Sequence, residues 1–541
     1  MGVEQPFTTE ATSYKHLIAT TKPWSYYIEP LYMPPVCDQL HSLHLKLVQQ
    51  PGRLITSSTS GYDGSMMNGL QSVQEWEIFF HFPHGSTLGL FNAIQNIGSL
   101  ATYPIAPYFA DGLGRRSTIF IGAVIMVCAT VLQAAAQSFG MFIAARFLIG
   151  FGLAFSFAAA PLLISEIAYP TQRAQLTSVY NTLWAFGSII AAWTTFGTFR
   201  IPNNWSWRIP SALQGLPSVI QVLLIWFIPE SPRYLINMGK EDRALHILAY
   251  YHANGNQNDP LVRYEFEEIK AAIAFDKEVA ENVGWLSLFK TPGNRRRMRI
   301  IIALAFFSQW SGNGLVSYYL NKVLNDIGIT SSDTQLLING ILTIFNFVIA
   351  IIAGFMVERI GRRPLFMTSI VGMLVFWTMQ SVCFAVYIQD NTKTAAAHSF
   401  IAMIFLFSAF YDIAFTPLIV SYTVEILPYP LRAKGFTIFN FSISLSLIFN
   451  QYINPIALGK LGWKYYMVYV AWDVFEVIYC YLFIVETKGL SLEETAVLFD
   501  GKDTVAMLSE KAAAEAGILP SGNNINLGAS ERGSSNEKIE I

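Results

Sequence analysis

Charged side chains are scarce in this chain of 541 residues. Asp, Glu, Lys and Arg make up 13% of the sequence, whereas hydrophobic residues make up 53%. A typical soluble domain carries roughly 25% charged residues, because water must solvate most of its surface. The composition therefore excludes an ordinary soluble protein and indicates that much of the surface faces lipid.

Cysteine is also rare, and charge of neither sign is in excess. The four cysteines, Cys37, Cys128, Cys383 and Cys480, have the spacing of neither a zinc site nor a CxxC redox pair. The formal net charge is −2, so no basic excess suggests a nucleic-acid partner. The sequence contains no phosphate-binding glycine loop and no metal-ligand cluster. We therefore expect a protein that is not an enzyme and that needs no cofactor or metal.

Long apolar stretches, in contrast, are frequent. A helix needs about 20 mostly apolar residues to cross roughly 30 Å of hydrocarbon. The sequence predicts an all-α membrane protein with twelve such helices in two pseudo-symmetric halves of six. The predicted spans are 52–71, 86–110, 116–136, 141–163, 174–197, 211–228, 298–320, 335–357, 364–388, 397–421, 433–457 and 464–485.

The spans divide the chain into five segments. A cytoplasmic N-terminal segment (1–51) precedes the first six-helix bundle (52–228), and a cytoplasmic helical linker (229–297) leads to the second bundle (298–485). The tail (486–541) is rich in Ala, Gly, Ser, Asn and Glu, a composition typical of disorder. Lys and Arg are concentrated in the loops on the side of the linker, which places both termini in the cytoplasm.

The first span is unusual for a membrane helix. The residues before it are too polar for lipid, and only Leu54 to Leu70, which include Asp63, remain plausible. Such a helix is tolerated where a bundle shields it from lipid. A misread exon boundary in the gene is the alternative explanation.

Two short loops repeat each other in the two halves. Asp111-Gly-Leu-Gly-Arg-Arg116 follows span 2, and Glu358-Arg-Ile-Gly-Arg-Arg363 follows span 8. Repeated halves are common in transporters, whose substrate site lies between them. A second similarity between the halves follows spans 4 and 10. In each place an arginine comes seven residues after a glutamate: Arg173 after Glu166, and Arg432 after Glu425. The positive-inside rule alone explains arginines but does not require acidic partners, so we predict a charge network that locks the cytoplasmic gate.

These loops resemble those of the sugar porter family of the major facilitator superfamily. The resemblance runs from about Gly61 to Glu494, and Pro229–Leu235 and Glu486–Glu494 resemble two further family motifs. Within the family, the chain looks most like fungal lactose permease and related carriers, including hexose transporters. The segments that carry this similarity are Gly61–Gly69, Trp207–Pro210 and Gln309–Gly314.

The resemblance implies a fungal plasma-membrane protein, acting as a monomer, that moves a sugar by alternating access. It also completes the predicted cytoplasmic gate. The gate residues are Asp111, Arg115, Arg116, Glu166, Arg173, Glu230, Arg233, Glu358, Arg362, Arg363, Glu425, Arg432 and Glu486.

Asp63 and Arg146 are the predicted proton-coupling residues. Intramembrane acids are costly and usually paired or functional. In proton-coupled members of the family, an acid at this position of helix 1 takes the proton and an arginine of helix 4 is its partner. A nearby guanidinium favours the ionised carboxylate and desolvation favours the protonated one, so relative movement of the two would switch proton affinity. The alternative is that Asp63 is a water-exposed cap at a broken helix.

Side-chain amides match sugar hydroxyls because both donate and accept hydrogen bonds. By resemblance, Gln309 and Asn346 occupy sugar-binding positions. This chain also departs from the family at two sugar-binding positions. Ser308 replaces the first glutamine of helix 7, and Phe415 replaces the tryptophan of helix 10. These shorter side chains leave room for a disaccharide or for a ligand that is not a sugar. The predicted substrate-binding residues are Gln309, Asn313, Asn346, Asn181, Trp310, Phe415, Asp412 and Asn450; for each, interhelical packing is the alternative.

The leading functional prediction is a proton-coupled importer of a hexose or disaccharide. An uncoupled sugar facilitator, an exporter of a secondary metabolite and a nutrient sensor are the alternatives. Asn204-Trp-Ser206 also matches the N-glycosylation acceptor pattern, in a short loop predicted to lie outside.

Overall fold

The computed structural model describes residues 51–168, 173–282, 284–390, 392–428, 431–488, 495 and 498–500. Every regular element in these ranges is a helix. The predicted N-terminal segment before Pro51 and most of the predicted tail lie outside the described residues, as do the side chains of Arg173, Asn181 and Glu358.

Twelve helical spans follow one another in this part of the chain, and spans 2, 6 and 7 each consist of two consecutive helices. Their bounds are Pro51–Leu70; Ser86–Thr102 with Ala106–Gly112; Arg115–Ala134; Phe139–Ile167; Arg173–Thr198; Trp205–Leu213 with Leu216–Leu224; Pro292–Trp310 with Asn313–Asp326; Ser332–Ile360; Arg362–Gln389; Thr394–Ile426; Arg432–Leu461; and Lys464–Phe483. The predicted fold class is therefore confirmed, and all twelve predicted spans overlap a helix.

Spans 1, 2 and 5 differ from the other nine, which are long and apolar enough by themselves to cross a membrane. Span 6 begins at Trp205 rather than at the predicted residue 211. Its first helix carries Ser206 and Ser211, both fully buried, together with Pro210. These residues lower the local hydropathy without being exposed to lipid, which is why the sequence pattern placed the start too late.

Local side-chain chemistry fixes where some spans begin. The Ser138 hydroxyl accepts a hydrogen bond from the Met141 backbone N–H at 3.3 Å, before span 4. Before span 7, the Thr291 hydroxyl accepts from the Asn294 backbone N–H at 3.2 Å, and Pro292 occupies the first helical position. Such caps satisfy N–H groups that have no partner inside the helix.

Span 1 is shielded by its neighbours despite its polarity. Thr56, Ser57 and Thr59 are each at most 3% exposed. Span 5 approaches so closely that a Cβ placed on Gly61 would lie 1.7 Å from the Trp184 carbonyl oxygen. Small residues allow this kind of backbone contact between membrane helices. The bundle therefore removes the polar side chains of span 1 from lipid.

Helix packing follows the two predicted halves. Span 1 packs against span 5 and span 3 against span 4, and in the second half span 9 packs against spans 10 and 12. Contacts between the halves join span 2 to span 11, span 5 to span 8, and span 1 to span 7. The exact boundaries of the five chain segments stay a prediction.

The linker between the halves forms four helices on the predicted cytoplasmic side: Pro232–Asn237, Glu241–His252, Pro260–Asn282 and Ser287–Lys290. Leu235, Leu248 and Val262 belong to a small apolar core within it. The His252 ring also contacts the Ile167 carbonyl oxygen at 3.1 Å, at the end of span 4. The helical linker is thus anchored to the first bundle.

Hydrogen bonds close the predicted outer side between the halves. The Asn68 amide at the end of span 1 donates to Asn339 of span 8 at 3.0 Å, and the Gln71 amide donates to the Tyr318 carbonyl of span 7 at 2.8 Å. Farther out, Arg200 pairs with Asp333 at 2.5 Å. These bonds hold the two halves together on this side of the membrane.

Candidate functional site

Asp63 and Arg146 meet in the interior of the first half. Asp63 is fully buried and Arg146 is 2% exposed, and the Arg146 Nη1 lies 3.4 Å from Asp63 Oδ1. The Arg146 Nε also donates to the Phe91 carbonyl oxygen at 2.8 Å. A water-exposed cap at a broken helix does not describe this carboxyl, because it lies within a continuous helix and no part of it reaches solvent.

Three glutamines extend this pair into a polar chain that joins five spans. The Gln214 amide donates to Asp63 Oδ1 at 2.5 Å, and its oxygen accepts from Gln133 at 3.1 Å. Arg146 Nη2 donates to Gln95 Oε1 at 2.9 Å. Asp63 Oδ2 has no hydrogen-bond partner among the described atoms. The pair was predicted from the sequence; the glutamines were not, although amides inside predicted spans 2, 3 and 6 were a usable signal.

Span 7 breaks where several predicted substrate residues meet. Gly312 has φ +90° in the left-handed region and separates the two helices. Beside this break, the Asn450 amide of span 11 donates to the Gln309 carbonyl at 2.6 Å, and the Asn313 amide donates to the Ser308 carbonyl at 3.0 Å. The structure therefore brings Gln309, Asn313 and Asn450 together.

Several oxygens of the second half lack donors. Asn313 Oδ1, Asn346 Oδ1 and Asp412 Oδ2 are buried and have no hydrogen-bond partner among the described atoms. The other oxygen of Asp412 accepts from Thr416 Oγ1 at 2.6 Å. Buried acceptors are normally satisfied, so each of these three oxygens has the capacity to accept a further hydrogen bond.

The two predicted aromatic ligands are engaged in helix packing. The Trp310 indole donates to the Ser446 carbonyl at 3.1 Å, and its ring centroid lies 5.4 Å from that of Trp472. Phe415 is 2% exposed and stacks on Tyr411 at 5.4 Å. These contacts match the packing alternative for both residues, so sugar stacking by them stays a prediction. The Asn181 side chain lies outside the described residues.

In the first half, the predicted gate residues form a compact network. Arg115 lies 3.4 Å from Glu166 and 3.2 Å from Asp111. Glu230 Oε1 accepts from the backbone N–H of Arg115 at 3.0 Å and of Arg116 at 3.2 Å. A carboxylate thus caps the N-terminus of span 3, where the free N–H groups and the helix dipole favour negative charge.

The second half repeats this arrangement with equivalent residues. Arg362 Nη2 lies 2.9 Å from Glu425 Oε1. Glu486 accepts from the backbone N–H of Arg362 at 2.9 Å and of Arg363 at 3.0 Å, and so caps span 9. Thr487 Oγ1 donates to Glu425 at 2.6 Å.

The side chains of Arg116 and Arg363 lie against aromatic rings, and Arg363 Nη2 also donates to the Tyr481 carbonyl oxygen at 2.9 Å, in the last turn of span 12. The Arg116 guanidinium lies 5.1 Å from the Trp226 ring, and that of Arg363 lies 5.8 Å from the Tyr481 ring. Each arginine therefore joins the caps through its backbone and stacks on an aromatic ring with its side chain. Paired arginines in sequence cannot both face one carboxylate, because neighbouring helical positions point in different directions.

The remaining predicted gate residues are less well defined. Arg233 interacts electrostatically with Glu166, and Arg432 is the first residue of span 11. The side chains of Arg173 and Glu358 lie outside the described residues.

Glu486, which caps span 9, has a lowered pKa. Partial burial raises the pKa of its carboxyl, but the effect of backbone N–H donors from Arg362, Lys488, Arg363 and Thr487 is larger and brings the pKa below its ordinary value. The cap is therefore ionised at neutral pH, and its stabilisation is lost only as the pH falls through this lowered pKa.

The sequence profile described as "Sugar (and other) transporter" matches residues 53–499. The chain belongs to this family. The transporter is accordingly a multi-pass membrane protein and not an enzyme. The predicted resemblance to sugar porters is confirmed.

Among similar proteins, the "High-affinity glucose transporter" of Kluyveromyces lactis is 29% identical to this transporter over 80% of this chain and 81% of that protein. The "MFS-type transporter criB" of Aspergillus cristatus is 28% identical over 82% of this chain and 91% of its own. A solved structure titled as the proton:xylose symporter XylE bound to 6-bromo-6-deoxy-D-glucose covers 83% of this chain and 99% of that chain, with TM-score 0.67 and 23% identity. The inward open conformation of XylE from E. coli gives TM-score 0.69 at 22% identity, over 85% of this chain and 100% of that chain. These likenesses show the fold.

A glycine beside the transporter's second-half cap gives a testable prediction. Gly361 has φ +108°, and a Cβ there would lie 2.9 Å from Glu486 Oε2. Gly361→Ala should destabilise the protein by about 1–3 kcal/mol, because only glycine adopts this backbone conformation without strain. Gly354→Ala is the matched control, since its Cβ would meet nothing within 4 Å. Thermal unfolding in detergent would measure both, and equal melting temperatures would contradict the cap geometry.

Asn204 lies directly before the first helix of span 6. It is partly exposed, whereas Ser206 of the same acceptor pattern is fully buried. Glycosylation at Asn204 stays a prediction.

Proposed function

We propose that this transporter is a proton-coupled importer of a sugar, a hexose or a disaccharide, in the plasma membrane, and that it acts as a monomer. The observation that carries the proposal is the fully buried Asp63 carboxyl beside Arg146. An uncoupled facilitator has no need for an ionisable pair in the membrane interior, where such groups are costly.

The surroundings of Asp63 are suited to reversible protonation. One oxygen accepts from Arg146 and Gln214, while Oδ2 has no hydrogen-bond partner among the described atoms and can carry a proton. Arg146 is held separately by the Phe91 carbonyl and Gln95. A rigid-body movement of span 4 relative to span 1 would therefore change the Asp63–Arg146 distance, which changes the proton affinity of the carboxyl.

The sugar part of the proposal is supported by the amides and free acceptors of the second half. Asn313, Asn346 and Asp412 have buried oxygens without a donor among the described atoms, and Gln309 adds a half-buried amide near Asn313 at the break in span 7. Similarity to proteins named as a glucose transporter and a proton:xylose symporter points to the same ligand class and to the same coupling ion.

Uptake measurements in yeast that lack their own hexose carriers test this function. Cells expressing the chain should accumulate at least one of glucose, lactose, cellobiose or maltose above the external concentration, and a proton ionophore should abolish the accumulation. Uptake that the ionophore does not change would favour a facilitator. No uptake despite surface expression would favour the exporter or the sensor.

A further inference from the structure

Span 12 carries two acids that the Asp63 mechanism does not use. Asp473 and Glu476 are three residues apart, which places them on one face of the helix. Both are fully buried within the second half. Carboxyl groups at such positions in a membrane protein are a functional signal in their own right.

Among the residues that the structure describes, no cation neutralises these two carboxyls. In the described part of the chain, neither forms an ion pair with Lys, Arg or His, and neither oxygen of Asp473 has a hydrogen-bond donor. The titratable groups that interact with the two acids are Tyr411 of span 10 and Tyr469 and Cys480 of span 12. All three are neutral or negative, and spans 9 and 11, which also pack against span 12, face this region with the uncharged Trp377 and Asn454.

The contacts of Ser311 indicate where a proton resides. Its Oγ lies 3.1 Å and 3.0 Å from the two oxygens of Glu476, and it also contacts the Phe307 carbonyl oxygen. A hydroxyl has a single hydrogen to donate. The Phe307 carbonyl oxygen can only accept and is the nearest of the three oxygens, so it would repel Ser311 Oγ unless the hydroxyl hydrogen lies between them. The contact with Glu476 is then favourable only if Glu476 is the donor, that is, a neutral carboxylic acid.

We propose that Glu476 and Asp473 form a second proton-binding site, in which Glu476 holds the proton and donates it to the Ser311 hydroxyl. Two neighbouring carboxylates without a cation cannot both be ionised in a low-dielectric interior. The site binds one proton by forming an O–H bond on Glu476 and releases it by breaking that bond. It is separate from Asp63, which lies in the other half of the molecule.

The position of Ser311 links this proton to the conformation of span 7. Ser311 follows the first helix of the span and precedes Gly312, where the helix breaks. The protonated acid therefore ties span 12 to the break. Loss of the proton would leave a carboxylate facing Asp473 and a serine that no longer receives a hydrogen bond, which disfavours this arrangement relative to others.

Infrared spectroscopy of the purified full-length protein in lipid tests the site without any transport. At neutral pH, the wild-type spectrum should contain one protonated-carboxyl band that is absent from the spectrum of Glu476→Gln. Loss of carboxylate bands instead would show that Glu476 is ionised and would overturn the proposal. Asp473→Asn is the companion variant and should retain the Glu476 band.

A second variant keeps the test decisive if Glu476→Gln does not fold. Ser311→Ala removes the acceptor of the proposed hydrogen bond and leaves both acids in place. The protonated-carboxyl band should then shift in frequency, because its O–H has lost its partner. An unchanged protonated-carboxyl region in Ser311→Ala would contradict the assignment.

A transport readout connects the site to function and rests on the proposed sugar transport. In proteoliposomes, equilibrium sugar exchange by Asp63→Asn, which lacks the first proton site, should slow by about tenfold as the pH on both sides is made alkaline, which corresponds to a barrier change of about 1.4 kcal/mol. Adding Glu476→Gln to this variant should remove most of the pH dependence, and superimposable profiles would contradict the link to span 7. If no sugar is exchanged at all, the sugar assignment fails while the infrared result still decides the proton site.

Discussion

Asp63→Asn should abolish uphill accumulation of sugar while exchange of sugar across the membrane continues. The amide oxygen of asparagine can still accept from Arg146 and Gln214, which lie 3.4 Å and 2.5 Å from Asp63 Oδ1. The variant therefore keeps the packing but cannot take up or release a proton. We expect accumulation to fall to equilibration, and exchange to stay within about tenfold of wild type, a barrier change of about 1.4 kcal/mol.

The measurement is uptake of labelled sugar by cells or proteoliposomes with an imposed proton gradient. Asp326→Asn is a suitable control, because this acid lies exposed at the outer end of span 7. It should accumulate sugar as wild type does. Undiminished accumulation by Asp63→Asn would remove Asp63 from the mechanism.

Gly61→Ala should prevent the first half from packing correctly. The added Cβ would lie 1.7 Å from the Trp184 carbonyl oxygen and 2.6 Å from its carbon, and both are backbone atoms that cannot rotate away. Overpacking of a core typically costs about 1–3 kcal/mol, and a backbone clash lies at or above the top of this range. We expect loss of surface expression and of a monodisperse peak in detergent gel filtration.

Gly64→Ala provides the matched control in the same helix. A Cβ at Gly64 would meet nothing within 4 Å, so this variant should express and melt as wild type does. Equal behaviour of the two variants would mean that span 1 does not pack against span 5 as described. The comparison therefore tests whether the unusually polar first span is a genuine part of the bundle.

The features that local sequence encodes were predictable. Apolar length indicated the number of spans and their order. The repeated acid, glycine and arginine pattern indicated two equivalent cytoplasmic corners, and the structure places Arg115 beside Glu166 and Arg362 beside Glu425. An acid in span 1 and an arginine in span 4 were identifiable because charges are so rare inside membrane helices.

The resemblance to sugar porters placed Glu230 and Glu486 in the gate, but their contacts were not predictable from the local sequence. Glu230 and Glu486 come from segments that follow the sixth and twelfth spans, yet they cap the third and ninth. Their role depends on how the helices meet, which the spacing of residues does not contain. Gln214 is polar within an apolar stretch, which signals a buried contact, but its partner Asp63 becomes evident only from the assembled bundle.

The acids of span 12 show a different limit. Asp473 and Glu476 lie in a stretch whose average hydropathy still predicts a span, because the apolar residues around them outweigh two carboxyls in the average. Trp310 and Phe415 illustrate the converse, since their position beside polar groups favoured a ligand contact. The structure shows that each is occupied by packing with aromatic neighbours.

Sugar-driven proton movement in proteoliposomes is the most direct test of the coupling that we propose for Asp63 and Arg146. With purified protein, no membrane potential and equal pH on both sides, an inward sugar gradient should carry protons inward and acidify the lumen, as reported by a trapped pH-sensitive dye. The same gradient with Asp63→Asn should move no protons. Sugar entry through the wild-type protein without any change in lumenal pH would contradict proton coupling.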